Sequence, residues 1–232
     1  MKEKVVVVTG GAKGIGKAVC NAFKIAGAKV CTIDILENDY FVGDIAEESV
    51  LKEFANKVIQ QYGKIDYLIN NAMLSKGGIN NCSYEDFNYA LRVGITAPYY
   101  LSKLFMNNFN EEWAIVNISS TRYNMSQENT ESYTAAKGGI TSLTHGLSMS
   151  LRGKVRVNAI APGWIDTTNS TFSIEHNMQH PVGRVGVPED IVNAVMFLCS
   201  DKSSFINGQI ITVDGGMSKQ MIYHDDYGWK FN

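Results

Sequence analysis

Three side chains able to do acid–base chemistry lie close together in mid-chain: Ser120, Tyr133 and Lys137. Tyr133 and Lys137 stand four positions apart, which puts them on one face of a helix within side-chain reach. A phenol titrates near 10, so acting as a base at neutral pH requires a fall of about two to three units, roughly 3–4 kcal/mol. An ammonium beside it in a partly dry site supplies an effect of that order. Ser120 comes just after the apolar run Ile115–Ile118, at the carboxyl end of a strand, where ligands bind in open α/β sheets. There it could hydrogen-bond a substrate oxygen as negative charge develops. Singly, such residues are ordinary: tyrosine in a core, lysine in solvent, serine in a turn.

A second cluster suits phosphate. Thr9-Gly10-Gly11-Ala12-Lys13-Gly14-Ile15-Gly16 follows the apolar run Val5–Val8 directly. Glycine permits the tight turn and lets backbone N–H groups approach a pyrophosphate, at which the following helix points its positive end. Gly10, Ala12, Lys13, Gly14 and Ile15 are the candidate contacts. Asp34 closes the next apolar run, where a carboxylate accepts hydrogen bonds from both ribose hydroxyls of an adenosine. A 2′-phosphate there would meet a like charge, at a cost of roughly 4 kcal/mol for a separation of about 4 Å and an effective dielectric near 20. Lys13 argues the other way, since it could swing toward such a phosphate, but a fixed carboxylate outweighs a flexible, solvated lysine. The expected cofactor is NAD rather than NADP.

Positioning these clusters takes a layered fold. Apolar runs at Val5–Val8, Val30–Ile33, Tyr67–Ile69, Ile115–Ile118, Val155–Ile160 and Ile210–Val213, with a weaker one at Tyr40–Val42, read as strands buried on both faces. Helical spacing covers residues 14–26, 46–62, 84–108, 131–151 and 188–199. This alternation predicts a single α/β domain over 1–232, a Rossmann-like doubly wound parallel sheet of about seven strands with helices on both faces. Only ten positions separate Asp34 from Asp44, too few for a helical crossover. Residues 162–187 show little periodicity and 122–130 form a polar loop, the kind of connection that serves as a lid or binding loop. The aromatic-rich tail from Met217 is expected to pack on this subunit or a neighbour.

Composition excludes several classes. In 232 residues with 45% hydrophobic and 19% charged side chains there is material for a sizeable core, not a disordered tail. A net charge of −2 without a basic stripe gives no reason to expect nucleic acid. The four cysteines are scattered, and His176 and His180 have no carboxylate or cysteine placed to complete a ligand set, so no metal is expected. No apolar run approaches the roughly 20 residues of a membrane span, and Val5–Val8 is too short for a signal peptide. The expectation is a protein of the reducing cytoplasm.

Together these residues resemble the short-chain dehydrogenase/reductase family, in its small single-domain branch. The matching segments are Thr9–Gly16, Asp34, Asp44-Ile45, Asn70-Asn71-Ala72, Ile115–Ser120, Tyr133 to Lys137, Asn158, Pro162-Gly163 and Asp214-Gly215-Gly216. The resemblance implies reversible hydride transfer between a nicotinamide and a secondary alcohol or ketone. In it Tyr133 is the acid/base, Lys137 binds the nicotinamide ribose and lowers the tyrosine pKa, and Ser120 holds the substrate oxygen. It also implies that Asp44 and Ile45 contact the adenine, that Asn71, Ala72 and Met73 border the cleft, and that Pro162, Gly163, Ile165 and Thr167 hold the carboxamide. A homotetramer or homodimer through helices near 95–110 and 131–151 is implied as well.

Two positions depart from the family pattern: Met73 stands where glycine is usual, and Gly94 where asparagine is usual. That asparagine completes a proton relay through a water; at Gly94 a backbone carbonyl and a helix irregularity could serve instead. The walls nominated for substrate are loop 122–130 (Arg122, Tyr123, Asn124, Gln127, Glu128, Asn129) and lid 164–184 (Trp164, His176, His180, Arg184). Their polarity suggests a sugar, polyol, cyclic alcohol or anionic small molecule. Two further readings stay open: a catalytically weak dinucleotide-binding regulator, and an enoyl reductase, whose tyrosine-to-lysine spacing is usually longer.

Overall fold

Seven parallel strands form one sheet in a computed structural model that describes residues 1–228 and 230. The strands are β1 (Val5–Thr9), β2 (Lys29–Asp34), β3 (Phe41–Val42), β4 (Ile65–Asn70), β5 (Phe109–Ile118), β6 (Arg156–Pro162) and β7 (Ile210–Val213), in the order β3-β2-β1-β4-β5-β6-β7. The chain therefore winds outward one way from β1 and the other way from β4, leaving a crevice above the carboxyl ends of those two strands.

Helices α1 (Gly14–Ile25), α2 (Glu48–Tyr62), α3 (Tyr84–Leu91), α4 (Ala97–Phe105), α5 (Glu131–Ser150), α6 (Ile174–Met178) and α7 (Pro188–Leu198) connect the strands. The unbroken apolar run in β1 has a direct cause. Val5 and Val7 face a core that includes Phe54 of α2 and Leu101 and Phe105 of α4, while Val6 and Val8 face the opposite core with Phe23 of α1 and Ile191 of α7. Residues alternate between two dry layers, so no position is left for a polar side chain.

Several boundaries differ from the sequence expectations. The link from β2 to β3 has no helix, as its length required; Asn38 folds it instead, its amide donating to the carbonyls of Leu36 and Phe41 and accepting from the N–H groups of Tyr40 and Phe41. Strand β5 starts at Phe109, six residues before the apolar run, because Phe109 and Ala114 pair with β4 through a register shift that pattern alone does not signal. The stretch 162–187, expected to be irregular, contains the short helix α6, capped by the Ser173 hydroxyl. In the tail, 3₁₀ turns occur at Met217–Lys219 and Asp226–Gly228, while Trp229 and Phe231 lie outside the described residues.

The most informative difference lies in 84–108. Instead of one helix, α3 and α4 are joined by a π-turn at Arg92–Thr96, where the Ala97 N–H reaches back five residues to the Arg92 carbonyl. Gly94 sits inside that turn, and a Cβ on it would lie 2.7 Å from the Met73 sulfur and 2.8 Å from the Ala136 methyl. The two departures from the family pattern are thus one packing event: Met73 occupies the space that a side chain at 94 would need. Gly94→Asn should cost about 1–3 kcal/mol of stability by overpacking. Adding Met73→Gly to it should recover most of that loss. Denaturant unfolding of the two variants checks this, and an unperturbed Gly94→Asn would refute the packing account.

Candidate active site

The crevice opens over the glycine loop that follows β1. Gly10 adopts φ +68° and Gly14 φ +57°, conformations that favour glycine. A Cβ on Gly10 would approach the Ala72 Cα to 2.8 Å, and one on Gly16 would run into the Gly10 carbonyl oxygen. Asn71 braces the loop from β4, donating its amide to the carbonyls of Thr9 (3.1 Å) and Gly10 (2.9 Å). The N-terminus of α1 has no capping side chain and no acidic residue in its first turn. Its first N–H groups are therefore left to an anion, as a bound pyrophosphate requires.

Asp34 is fixed at the end of β2, accepting from the N–H groups of Ala12 and Leu36, each at 3.0 Å. Asp44 accepts from the Ala46 N–H at 2.9 Å and from the Tyr89 hydroxyl at 2.8 Å. Tyr89 was not visible as a site residue in the sequence; it is one aromatic among eleven tyrosines, and nothing local links it to Asp44, 45 positions away. Lys76 and Arg92 lie over its ring at 5.2 and 5.8 Å. Burial and the Asp44 carboxylate push the Tyr89 phenol up to about 12.

A cleft of about 630 Å³ is lined by Gly10, Lys13, Gly14, Ile15, Asp34, Asp44, Ile45, Asn71, Ala72, Met73, Tyr89 and Thr167, among others. The residues thus suit the adenosine and pyrophosphate of a dinucleotide: glycine backbone at a helix N-terminus and a carboxylate at each of two strand ends. Ala12, Pro162, Gly163 and Ile165 do not line this cleft, nor do Ser120, Tyr133 and Lys137. Ala12 acts through its bond to Asp34, and the Gly163 N–H donates to Val213 at 3.0 Å. Ile165 borders a separate cavity of about 230 Å³ with Trp164, His180 and Arg184.

Ser120, Tyr133 and Lys137 gather beyond the carboxyl end of β5. The Lys137 ammonium donates to the Ile118 carbonyl at 2.6 Å and lies 5.5 Å from the centre of the Tyr133 ring. The Ser120 hydroxyl accepts from the Arg122 N–H at 3.2 Å, which orients it at the start of a 3₁₀ turn, Thr121–Tyr123. Lys137 is only 4% exposed, and burial with no acidic partner pulls its ammonium down to about 7. Burial raises the Tyr133 phenol above its usual value, with the Ser120 hydroxyl and the Arg122 guanidinium pulling the other way.

The nominated lid divides. Arg184 makes a two-pronged ion pair with Asp190 at the start of α7, both contacts at 2.7 Å, so its charge is committed to the fold. His180 is 1% exposed beneath the lid. Trp164 stacks edge-on with Phe172 and His176 at 5.1 and 5.3 Å. Arg122 instead lies 5.8 Å from the Tyr133 ring centre and is held by the Gln127 side-chain oxygen.

Comparison with known proteins matches the chain to oxidoreductases. The family profile described as enoyl-(acyl carrier protein) reductase matches residues 10–218. An uncharacterized oxidoreductase of Thermotoga maritima is 37% identical over 256 residues, spanning 97% of this chain and 100% of the relative. A 3-oxoacyl-[acyl-carrier-protein] reductase of the same organism is 31% identical, spanning 94% and 98%. Among solved structures, an SCOR enzyme from Clostridium thermocellum superposes with a TM-score of 0.91 at 44% identity, covering 100% of this chain and 99% of that one. The ligand-free aldohexose dehydrogenase of Thermoplasma acidophilum gives 0.89 at 30% identity, covering 96% of each.

The buried lysine has a thermodynamic signature. Below about pH 7 the folded and unfolded chains both hold its proton; between about 7 and its ordinary 10.5 only the unfolded chain does. Stability of the cofactor-free protein should therefore rise with pH through that window, by up to about 1.4 kcal/mol per pH unit from this group. Lys137→Met should lack that increment, so the difference between the two denaturation series should change with pH. Parallel series would mean that the lysine keeps its proton in the fold.

Proposed function

The chain belongs to the short-chain dehydrogenase/reductase family, and from that premise we propose that it is an NAD(H)-preferring oxidoreductase interconverting a secondary alcohol and a ketone. The observation that carries this reading is the convergence of Ser120, Tyr133 and a fully buried Lys137 at the end of β5, on the side of β4 away from the glycine loop. A bound nicotinamide supplies the hydride exchange; the chain's own groups supply the proton and the alignment. Tyr133 takes the proton from the alcohol oxygen as hydride leaves, or returns it to the ketone. The Ser120 hydroxyl, which already accepts from the Arg122 N–H, has its own proton to donate to that oxygen. Lys137, with a pKa near neutrality, can accept and release a proton beside Tyr133 without a large free-energy cost in either direction.

Asp34 supports NAD, since both of its oxygens are tied to backbone N–H groups and the carboxylate cannot turn away from a 2′-phosphate. Lys13 is exposed and has no comparable anchor. Pro162, Gly163, Ile165 and Thr167 remain the residues assigned to the carboxamide end, in a homotetramer or homodimer of the cytoplasm. The description of the matching profile favours an enoyl reductase as the second reading, but the four-residue step from Tyr133 to Lys137 and relatives named for 3-oxoacyl and aldohexose chemistry favour a carbonyl.

In an assay of NADH formation and consumption over sugars, polyols, hydroxy acids and cyclic alcohols or ketones, Tyr133→Phe should lower kcat by about 10²-fold or more. The same variant should still bind NADH. Turnover that survives this substitution would remove Tyr133 from the chemistry. With a substrate in hand, kcat/KM for NAD should exceed that for NADP at least about tenfold; the reverse order would overturn the assignment to Asp34.

A further inference from the structure

We propose that Arg122 is a substrate-binding residue that selects an anionic substrate, a hydroxy acid or its keto acid. This rests on the dehydrogenase reading and narrows its substrate. Four observations carry it. Arg122 is half-buried, and among the described residues no carboxylate lies within ion-pair distance of its guanidinium; its one side-chain hydrogen-bond partner is the neutral amide of Gln127. The guanidinium carbon lies 5.8 Å from the centre of the Tyr133 ring, on a 3₁₀ turn whose backbone also holds Ser120. The Lys137 side-chain nitrogen is a second basic group beside the same ring, 5.5 Å from its centre. The other arginine nominated for the pocket, Arg184, is neutralised by Asp190.

A guanidinium presents five donors in a planar fork, of which Gln127 engages one end. The free N–H groups match the two oxygens of a carboxylate, and a flat fork fixes the orientation of the molecule as well as its charge. With the guanidinium beside the Tyr133 ring, a carboxylate on the fork belongs to a molecule whose alcohol or ketone oxygen can meet Tyr133. A neutral sugar or polyol would leave a half-buried cation without a counter-charge in the bound state, which disfavours it relative to the acid.

The test uses matched substrates that differ in charge: lactate against methyl lactate, 3-hydroxybutyrate against its methyl ester, and gluconate against glucitol. Wild type should show at least tenfold higher kcat/KM for the acid in the productive pair. Arg122→Gln should reduce that acid-to-neutral ratio at least tenfold, chiefly through KM, and Arg122→Lys should keep part of it. General damage to the site lowers both members of a pair alike and leaves the ratio standing, so an unchanged ratio overturns the proposal, as does equal use of ester and acid. Binding is read in parallel as the thermal shift given by lactate, 3-hydroxybutyrate and gluconate in the presence of NADH. A shift in wild type that Arg122→Gln abolishes supports the anion site. If that shift appears without Tyr133-dependent turnover, the anion site stands and the dehydrogenase reading falls. If neither turnover nor a shift appears, the anion site falls.

Discussion

Backbone packed directly on backbone at the carboxyl ends of β1 and β4 is the constraint on which the site depends. Gly10 lies against Ala72, Gly16 lies beneath the Gly10 carbonyl, and neither position has room for a single carbon more. Thr9 turns this contact into a hinge without play, its hydroxyl accepting from the N–H groups of both Asn71 and Ala72 at 3.0 and 3.1 Å. A loop held this way cannot collapse into its own crevice when the crevice is empty. The α1 N-terminus therefore keeps its aim, and recognition of an anion there requires no rearrangement.

The catalytic end is placed by a different device, a buried polar lane between the sheet and α5. Asn70 donates to Asn117 at 2.8 Å, Asn117 to Thr144 at 2.9 Å, and Thr144 to the Ile140 carbonyl at 2.8 Å. Alongside, Ser119 and Thr141 bond each other at 2.7 Å, and both reach the Lys137 carbonyl. Buried polar groups are costly unless satisfied, so these bonds favour the observed position of α5 along β5 over one that would break them. That position is the one in which the Lys137 ammonium meets the Ile118 carbonyl. An apolar interface would hold the helix equally close but would tolerate a slip of register, and a slip would separate Tyr133 from Ser120.

Much of this was legible in the sequence because the signals were local. A glycine loop between an apolar run and a helix, an acidic residue closing the second run, and a tyrosine four positions before a lysine are each readable within a short window. The seven strands and the missing crossover after Asp34 followed from the same kind of pattern. What escaped was long-range. The Tyr89–Asp44 bond joins residues 45 apart, and the exchange of volume between Met73 and Gly94 depends on the π-turn that brings them together. Arg122 and Arg184 looked equivalent in sequence. Only the fold shows that Asp190 takes the charge of one and leaves the other beside Tyr133.

The distribution of charge in the crevice then explains a feature that would otherwise count against the chemistry. In the cofactor-free protein burial moves both members of the catalytic pair toward neutrality, Lys137 downward to about 7 and Tyr133 upward. A tyrosine raised in this way is a poor base, so the fold by itself does not tune it. Asp34 and Asp44 line the cleft over the glycine loop, whereas Arg122 and Lys137 stand beside the Tyr133 ring. Negative charge or hydrogen-bond acceptors brought to the catalytic end favour the charged form of Lys137, and a charged Lys137 near the Tyr133 ring favours the phenolate. Desolvation has thus set the lysine where a modest change in its surroundings decides its proton, which couples the basicity of Tyr133 to occupancy of the site rather than to the folded chain alone.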